Sequence, residues 1–172
     1  MSSELSDEVD DLRRRVERLE AAASAAPTMP TDDPANAFWA LDGLKSRAPE
    51  TGAVLYTGSV ILPGGVQADW QYALTTDAIL AKEWSAPSTA ASLAALGSPV
   101  RLRLLQAIAN GATSVADLAD LDGLGTTGQV YHHVNQLMAT GWVHSTSRGH
   151  YGIPPERAVP LLAILLALGG AA

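Results

Sequence analysis

Between residues 125 and 153 the spacing of apolar positions changes from a helical to an extended period within one short run, GTTGQVYHHVNQLMATGWVHSTSRGHYGI. Val130, Val134 and Leu137 stand at i, i+4 and i+7, an apolar stripe that predicts a helix. The opposite face carries Thr127, Gln129, Tyr131, His132, Asn135 and Gln136, which donate and accept hydrogen bonds without a formal charge. Thr126 and Gln129 have the spacing of a capping box, which fixes the start of the helix, and Gly141 is placed to end it. Residues 142–146 then read as a strand, Ser147-Arg148-Gly149 as a turn and residues 150–153 as the return strand, with Arg148 at the tip. Upstream, Pro99 suits a first helical turn, and Val100, Leu104, Leu105 and Ile108 form an apolar face up to Asn110-Gly111. A short helix over about residues 114–120, capped by Thr113 or Ser114, turns Val115, Leu118 and Leu121 inward. The turn at residues 122–125 leads into the longer helix, so the order is helix-turn-helix followed by a two-stranded wing.

The N-terminal half has other periods. Val9, Leu12, Val16, Leu19, Ala23 and Ala26 alternate three and four apart over residues 6–26, an a/d seam, with opposite-charge pairs such as Asp10 with Arg14 outside it. This predicts a short coiled coil joining two copies through Val9, Leu12, Val16 and Leu19; an amphipathic helix lying on its own domain is the alternative. Pro27, Pro30 and Pro34 mark residues 27–36 as a linker. Residues 37–47 read as a short helix presenting Phe38, Trp39, Leu41 and Leu44. Residues 53–62 and 66–74 flank Pro63-Gly64-Gly65 as a β-hairpin, with Val66, Ala68, Trp70, Tyr72 and Leu74 on one face. An isolated hairpin is barely stable in water, so this one must pack on the C-terminal half, on its copy in a partner subunit, or on both. Asp77 is expected to cap a helix running to about residue 84, and Pro87-Ser88 leads into a helix over 90–96. Pro154-Pro155 breaks the return strand, and residues 158–168 form a helix apolar all round, which tolerates Pro160 in its first turn and requires burial on more than one side.

The predicted fold class is mainly α with small β hairpins. The expected domains are an N-terminal coiled-coil helix (1–26), a linker (27–36), an accessory helix and hairpin region (37–87) and a helix-turn-helix domain with a terminal dimerisation helix (88–172).

Composition narrows the function. A 47% hydrophobic content excludes extensive disorder, and zero cysteines exclude disulfides and thiolate metal sites. The acidic, polar N-terminus lacks the pattern of a signal peptide, and the apolar run at 159–168 is far shorter than the roughly 20 residues of a membrane span, so a cytoplasmic protein with no membrane partner is expected. A net charge of −7 argues against DNA binding, but its distribution weakens that objection. Residues 98–172 hold four basic side chains (Arg101, Arg103, Arg148, Arg157) against four acidic ones, so the whole deficit lies upstream, where seven basic face fourteen acidic.

No nucleophile motif, phosphate loop or paired carboxylate frame is present, so no catalytic residue, metal ligand or cofactor is expected. His132 and His133 are adjacent on a helix, about 100° apart, and cannot chelate one ion together. His144 and His150 are candidates to face each other across the wing. Trp39, Tyr56, Trp70, Tyr72 and Trp84 are either ordinary core or the lining of a pocket for a small-molecule effector.

The run LAALGSPVRLRLLQAIANGATSVADLADLDGLGTTGQVYHHVNQLMATGWVHSTSRGHYGI resembles the ArsR/SmtB-type winged helix-turn-helix transcriptional regulators, over roughly residues 90–168. LAALGSPVRLRLL is similar to that family's first helix, and VYHHVNQLMATGWV to its recognition helix running into the wing. The resemblance implies a homodimer on double-stranded DNA. Thr126, Thr127, Gln129, Tyr131, His132 and Asn135 would then lie at the bases, Arg148 at the wing contact, Arg101 or Arg103 on phosphates, and Leu161, Leu162, Ile164, Leu165 and Leu168 in the subunit interface. Where metal-sensing members carry a Cys-x-Cys-Asp box, this chain has Ser114-Val115-Ala116-Asp117, and its terminal helix offers only Glu156 as a ligand, which implies a member that does not sense metal. The alternatives are a winged-helix module that binds another protein, and a small-molecule sensor using the aromatic hairpin region.

Overall fold

The structure, a computed structural model, describes residues 9, 12–16, 38–121 and 126–169. The chain divides into two compact units, Met1–Gly43 and Leu44–Ala172. In the first, residues 9 and 12–16 are helical, and Val9, Leu12 and Val16 are exposed along one side together with Arg13. Leu19, Ala23 and Ala26 of the predicted seam, the linker at 27–36 and the turn at 122–125 lie outside the described residues. Helix α1 (Trp39–Lys45) spans the boundary between the units and buries none of its side chains.

The second unit begins with the antiparallel hairpin β1 (Ala53–Ile61) and β2 (Gln67–Thr75), paired from Ala53↔Thr75 to Ile61↔Gln67. Tyr56, Gly58 and Val60 stand opposite Tyr72, Trp70 and Ala68, so these six share one face. Two contacts stabilise the hairpin, and both come from its own chain. A Cβ built on Gly58 would lie 2.8 Å from Cγ1 of Val159, so the terminal helix approaches β1 as closely as a bare backbone permits. At the hairpin tip the Gly64 amide donates to the Ala109 carbonyl at 3.2 Å, satisfying one of the unpaired carbonyls at the end of a helix.

Helix α2 (Thr76–Leu80) is capped by Thr75, whose hydroxyl accepts from the Ala78 amide at 3.2 Å. Asp77 is not the cap; it sits in the first turn and accepts from the Thr51 hydroxyl at 2.7 Å. The helix stops at Leu80, short of residue 84. Helix α3 (Pro87–Leu96) starts on its proline, where the missing N–H is harmless, rather than at 90.

Helix α4 (Pro99–Ala109) buries Leu104, Leu105 and Ile108 and leaves Val100 half-buried. It ends in a Schellman motif: Gly111 has φ +100°, its amide donates to the Ile108 carbonyl, and the Ala112 amide to that of Ala107. Helix α5 (Val115–Ala119) carries a capping box between Ser114 and Asp117. Helix α6 (Thr127–Ala139) follows, then β3 (His144–Ser147), β4 (His150–Gly152) and helix α7 (Pro155–Gly169). Ser114 makes an isolated antiparallel bridge to His150 of β4: the Tyr151 amide donates to the Thr113 carbonyl and the Val115 amide to that of Gly149.

One core joins α4, α5, α6 and the strands; its fully buried side chains are Leu104, Leu118, Val130, Val134, Leu137, Val143 and Ile153. Each contributes about 1.5–3 kcal/mol on removal from water. The terminal helix departs from expectation in two ways. It begins at Pro155, because the Pro154 carbonyl accepts from the Arg157 amide, so Pro160 lies beyond the first turn and the Glu156 carbonyl loses its helical donor. Its apolar residues also divide: Ala158, Val159 and Leu161 are buried within the chain, whereas Leu162, Leu165, Leu166 and Leu168 are exposed. Leu161 therefore belongs to the intrachain core and not to a subunit face, and Ile164 is half-buried against the same core. Among the described residues no helix is long and apolar enough to cross a membrane.

Candidate functional site

Helix α6 presents the most sharply divided surface of the second unit. Val130, Val134 and Leu137 are 0% exposed, while Thr126, Thr127, Gln129, Tyr131, His132 and Asn135 are all exposed. The predicted polar residues thus emerge together on one side, and no carboxylate or cation occurs anywhere in the helix. Both its ends are fixed. The Thr126 amide donates to Oε1 of Gln129 at 2.8 Å, and the Gln129 amide reaches Oγ1 of Thr126 at 3.4 Å, a reciprocal cap. At the other end Gly141 has φ +73°; its amide donates to the Met138 carbonyl and that of Trp142 to Leu137, a second Schellman motif. The chain leaves this exit with Trp142 and Val143 buried, which is why β3 begins at His144 rather than at 142.

Arg101 and Arg103 have different roles. Arg101 Nε donates to the Ala95 carbonyl at 2.6 Å, Nη2 to Ala94 at 2.7 Å, and Nη1 to Oε1 of Gln136 at 2.6 Å. Its guanidinium thereby ties the end of α3 to α6, and Gln136, half-buried, is held by it. Arg103 stands about 200° further round α4 and lies with Leu62 and Pro63 of the hairpin tip in a cleft of about 480 Å³ beside α7, on a different side from α6. Arg148 is exposed at the tip of the wing.

The histidines do not assemble. His144 pairs with Gly152 and His150 with Ser147, so the two do not face each other across the wing. The rings of His132 and His133 are 5.4 Å apart and edge-on. His132 is exposed, whereas His133 is half-buried and its buried Nδ1 has no hydrogen-bond partner among the described residues. Among the described residues no group of three or more His, Cys, Asp or Glu side chains can hold a metal. The capping box holds the Asp117 carboxyl below its ordinary value, chiefly through hydrogen bonds from the Ser114 side chain and amide. Burial pushes the Tyr151 phenol up.

Trp39 lies on α1 and is exposed; Trp84 is exposed with its Nε1 donating to the Ile79 carbonyl. Tyr56 and Tyr72 pair across the hairpin with ring centroids 5.9 Å apart. Only Tyr56 of the five candidate aromatic residues lines the cleft of about 660 Å³ bounded by β1, α3 and α7. Its other notable lining residues, Trp142 and Arg157, escape the periodicity argument because they come together only through the fold. The single sequence signal was Arg157 itself, the lone cation after residue 148.

No protein-family model, no curated protein and no solved structure matches this chain.

Proposed function

We propose that residues 88–169 form a winged helix-turn-helix that binds double-stranded DNA sequence-specifically as a homodimer and regulates transcription. The reading rests on one observation: a thirteen-residue helix, capped at both ends, that turns an uncharged face of amides, hydroxyls and an imidazole to solvent in a chain of net charge −7. Base edges are read by such groups, whereas a protein-binding face favours apolar and aromatic anchors. In this reading Thr126, Thr127, Gln129, Tyr131, His132 and Asn135 meet the major groove. Arg148 meets the flanking backbone, and Arg101 acts as a brace that sets the angle of α6. The resemblance to ArsR/SmtB-type regulators supports the same assignment, as does the order α5, α6, β3, β4. The absence of cysteine and the engagement of Asp117 in a helix cap favour a member that does not sense metal. The exposed leucines of α7 are the proposed contribution of this unit to the dimer, with Val9, Leu12 and Val16 as a second seam.

The test is selection of duplexes from a random-sequence pool by the purified protein, repeated from about 50 to 200 mM salt, a range over which several phosphate contacts weaken affinity visibly. A palindromic consensus whose affinity falls with salt is expected. Absence of any enriched sequence at the lowest salt overturns the reading in favour of a protein partner.

A further inference from the structure

We propose that the cleft between β1, α3 and α7 binds an amphiphilic monocarboxylate, a molecule with an apolar body and one anionic head, and that Arg157 receives the head. The cleft, about 660 Å³, is of the size that holds small organic ligands. One part of its wall is apolar: Leu93, Pro160, Ala163, Ile164 and Ala167. Another carries hydroxyls, from Tyr56, Ser88, Thr89 and Ser92. Arg157 is the single charged side chain on the lining.

That guanidinium is not used by the fold in the way Arg101 is. Among the described residues it makes no ion pair and no side-chain hydrogen bond; its contact is with the face of Trp142, its Cζ 5.2 Å from the ring centroid. A cation–π contact uses the charge of the guanidinium without engaging its N–H donors, which stay available to a carboxylate in bidentate fashion. In a chain with seven more carboxylates than cations, a cation without a carboxylate partner beside an apolar cleft selects for an anion brought from outside. Ser88 and Thr89 add to this, because they open the ten-residue α3, whose N-cap Ala86 supplies no side-chain acceptor to the first amides. The apolar wall then requires that the anion carry a hydrocarbon body, which excludes a bare inorganic ion.

Occupancy has a route to α6. Trp142 is the third residue beyond the end of that helix, its amide closes the Schellman motif on Leu137, and its Nε1 donates to the Ser92 carbonyl at 3.2 Å. A carboxylate drawing Arg157 toward the cleft alters the cation–π contact on the residue that terminates α6. This regulatory consequence rests on the DNA-binding reading; the binding site does not.

The experiment uses the full chain with two probes of equal length, octanoate and octan-1-ol, followed by calorimetry and by the indole N–H resonance of Trp142, assigned with Trp142→Phe. Octanoate is expected to bind at least about tenfold more tightly than the alcohol, the scale of one charge-assisted contact, and to move the Trp142 resonance. Arg157→Gln is expected to reduce the acid to the affinity of the alcohol, Arg157→Lys to keep part of the difference, and Ala163→Phe to block both probes with Arg157 intact. Equal affinity for acid and alcohol, or an acid preference that survives Arg157→Gln, overturns the proposal. So does failure of both probes to bind combined with loss of a dimer in Arg157→Gln, which assigns the cleft to a second copy. DNA affinity is measured separately with and without octanoate: probe binding without any DNA binding sinks the DNA reading alone, and DNA binding without probe binding sinks the cleft alone.

Discussion

Gln129 has two duties that its chemistry allows to be separated. Oε1 completes the cap of α6, while the amide N–H groups remain directed to solvent on the proposed reading face. Alanine removes both, and its effect mixes about 1 kcal/mol of lost capping with any lost contact. Glutamate keeps the acceptor and puts a negative charge where phosphates approach. Gln129→Glu is therefore expected to leave the circular dichroism unchanged and to abolish DNA binding, whereas Asn135→Ala, a residue outside the cap, is expected to cost roughly 1–3 kcal/mol at a single base position. Both are read from binding isotherms on consensus and singly mismatched duplexes, and normal binding by both variants removes α6 from the interface. Asp117 provides a pH test. Its carboxyl is held below the ordinary carboxylate value by the hydrogen bonds from Ser114, so its folded value is lowered relative to the unfolded chain. The stabilisation is then complete above the ordinary carboxylate range and is lost as pH falls through the lowered folded value. The Ser114 amide resonance is expected to titrate with a midpoint below that of an ordinary aspartate, and Asp117→Asn to remove that transition.

Among the elements, the hairpin is mounted by close approach. Gly58→Ala places a methyl 2.8 Å from Cγ1 of Val159, and the predicted cost is about 1–3 kcal/mol in urea denaturation. Val159→Ala loses buried methyls on its own, yet in the double variant it vacates the space the new methyl needs. The two costs should therefore sum to more than the double variant shows, and strict additivity would dissociate the hairpin from α7. This contact was not legible in the sequence, because it joins residues a hundred positions apart and neither carries a local signal. The ends of α4 and α6, both hairpin strands and the inward set Leu104, Leu118, Val130, Val134 and Leu137 were legible, since caps, terminal glycines and apolar periods are all local. The cap of α2 was misplaced by two residues because Thr75 and Asp77 both qualify chemically, and only the partner on Thr51 distinguishes them. Helix α7 starts earlier than its apolar run predicts because the second proline of Pro154-Pro155 opens the helix rather than only breaking the strand. Of the proposed reading face, the pattern gave every exposed member, while the capture of Arg101 by Ala94, Ala95 and Gln136 depends on how α3, α4 and α6 meet.

For the molecule as a whole, the terminal helix is half core and half surface. Leu166 and Leu168 are 77% and 73% exposed, and Leu162 and Leu165 lie on the same outward part. An exposed apolar strip of this kind offers a surface to a partner, and it is the proposed subunit contact. If it contributes to the proposed dimer, Leu165→Glu is expected to yield a monomer by light scattering with little change in melting temperature, since its side chain is not part of the core. It is also expected to weaken operator binding far more than binding to a single half-site. A monomeric wild-type protein would remove the premise.

The two fixed ends of α6 make its length a phase. Adding one residue to a helix turns everything beyond the insertion by about 100°. With Thr126–Gln129 closing one end and Gly141–Trp142 the other, the extra residue can be absorbed only by breaking a cap or by rolling Val130, Val134 and Leu137 out of the core. Substitution along the outward face, outside the Thr126–Gln129 cap, is free to change the proposed reading surface, while insertion and deletion within the helix are not. At the tip of the wing the limit is of another kind: a Cβ at Gly149 meets nothing within 4 Å, but its φ of +74° favours glycine and its carbonyl accepts from the Val115 amide. Variation in α6 is thus confined to letters and excluded from length.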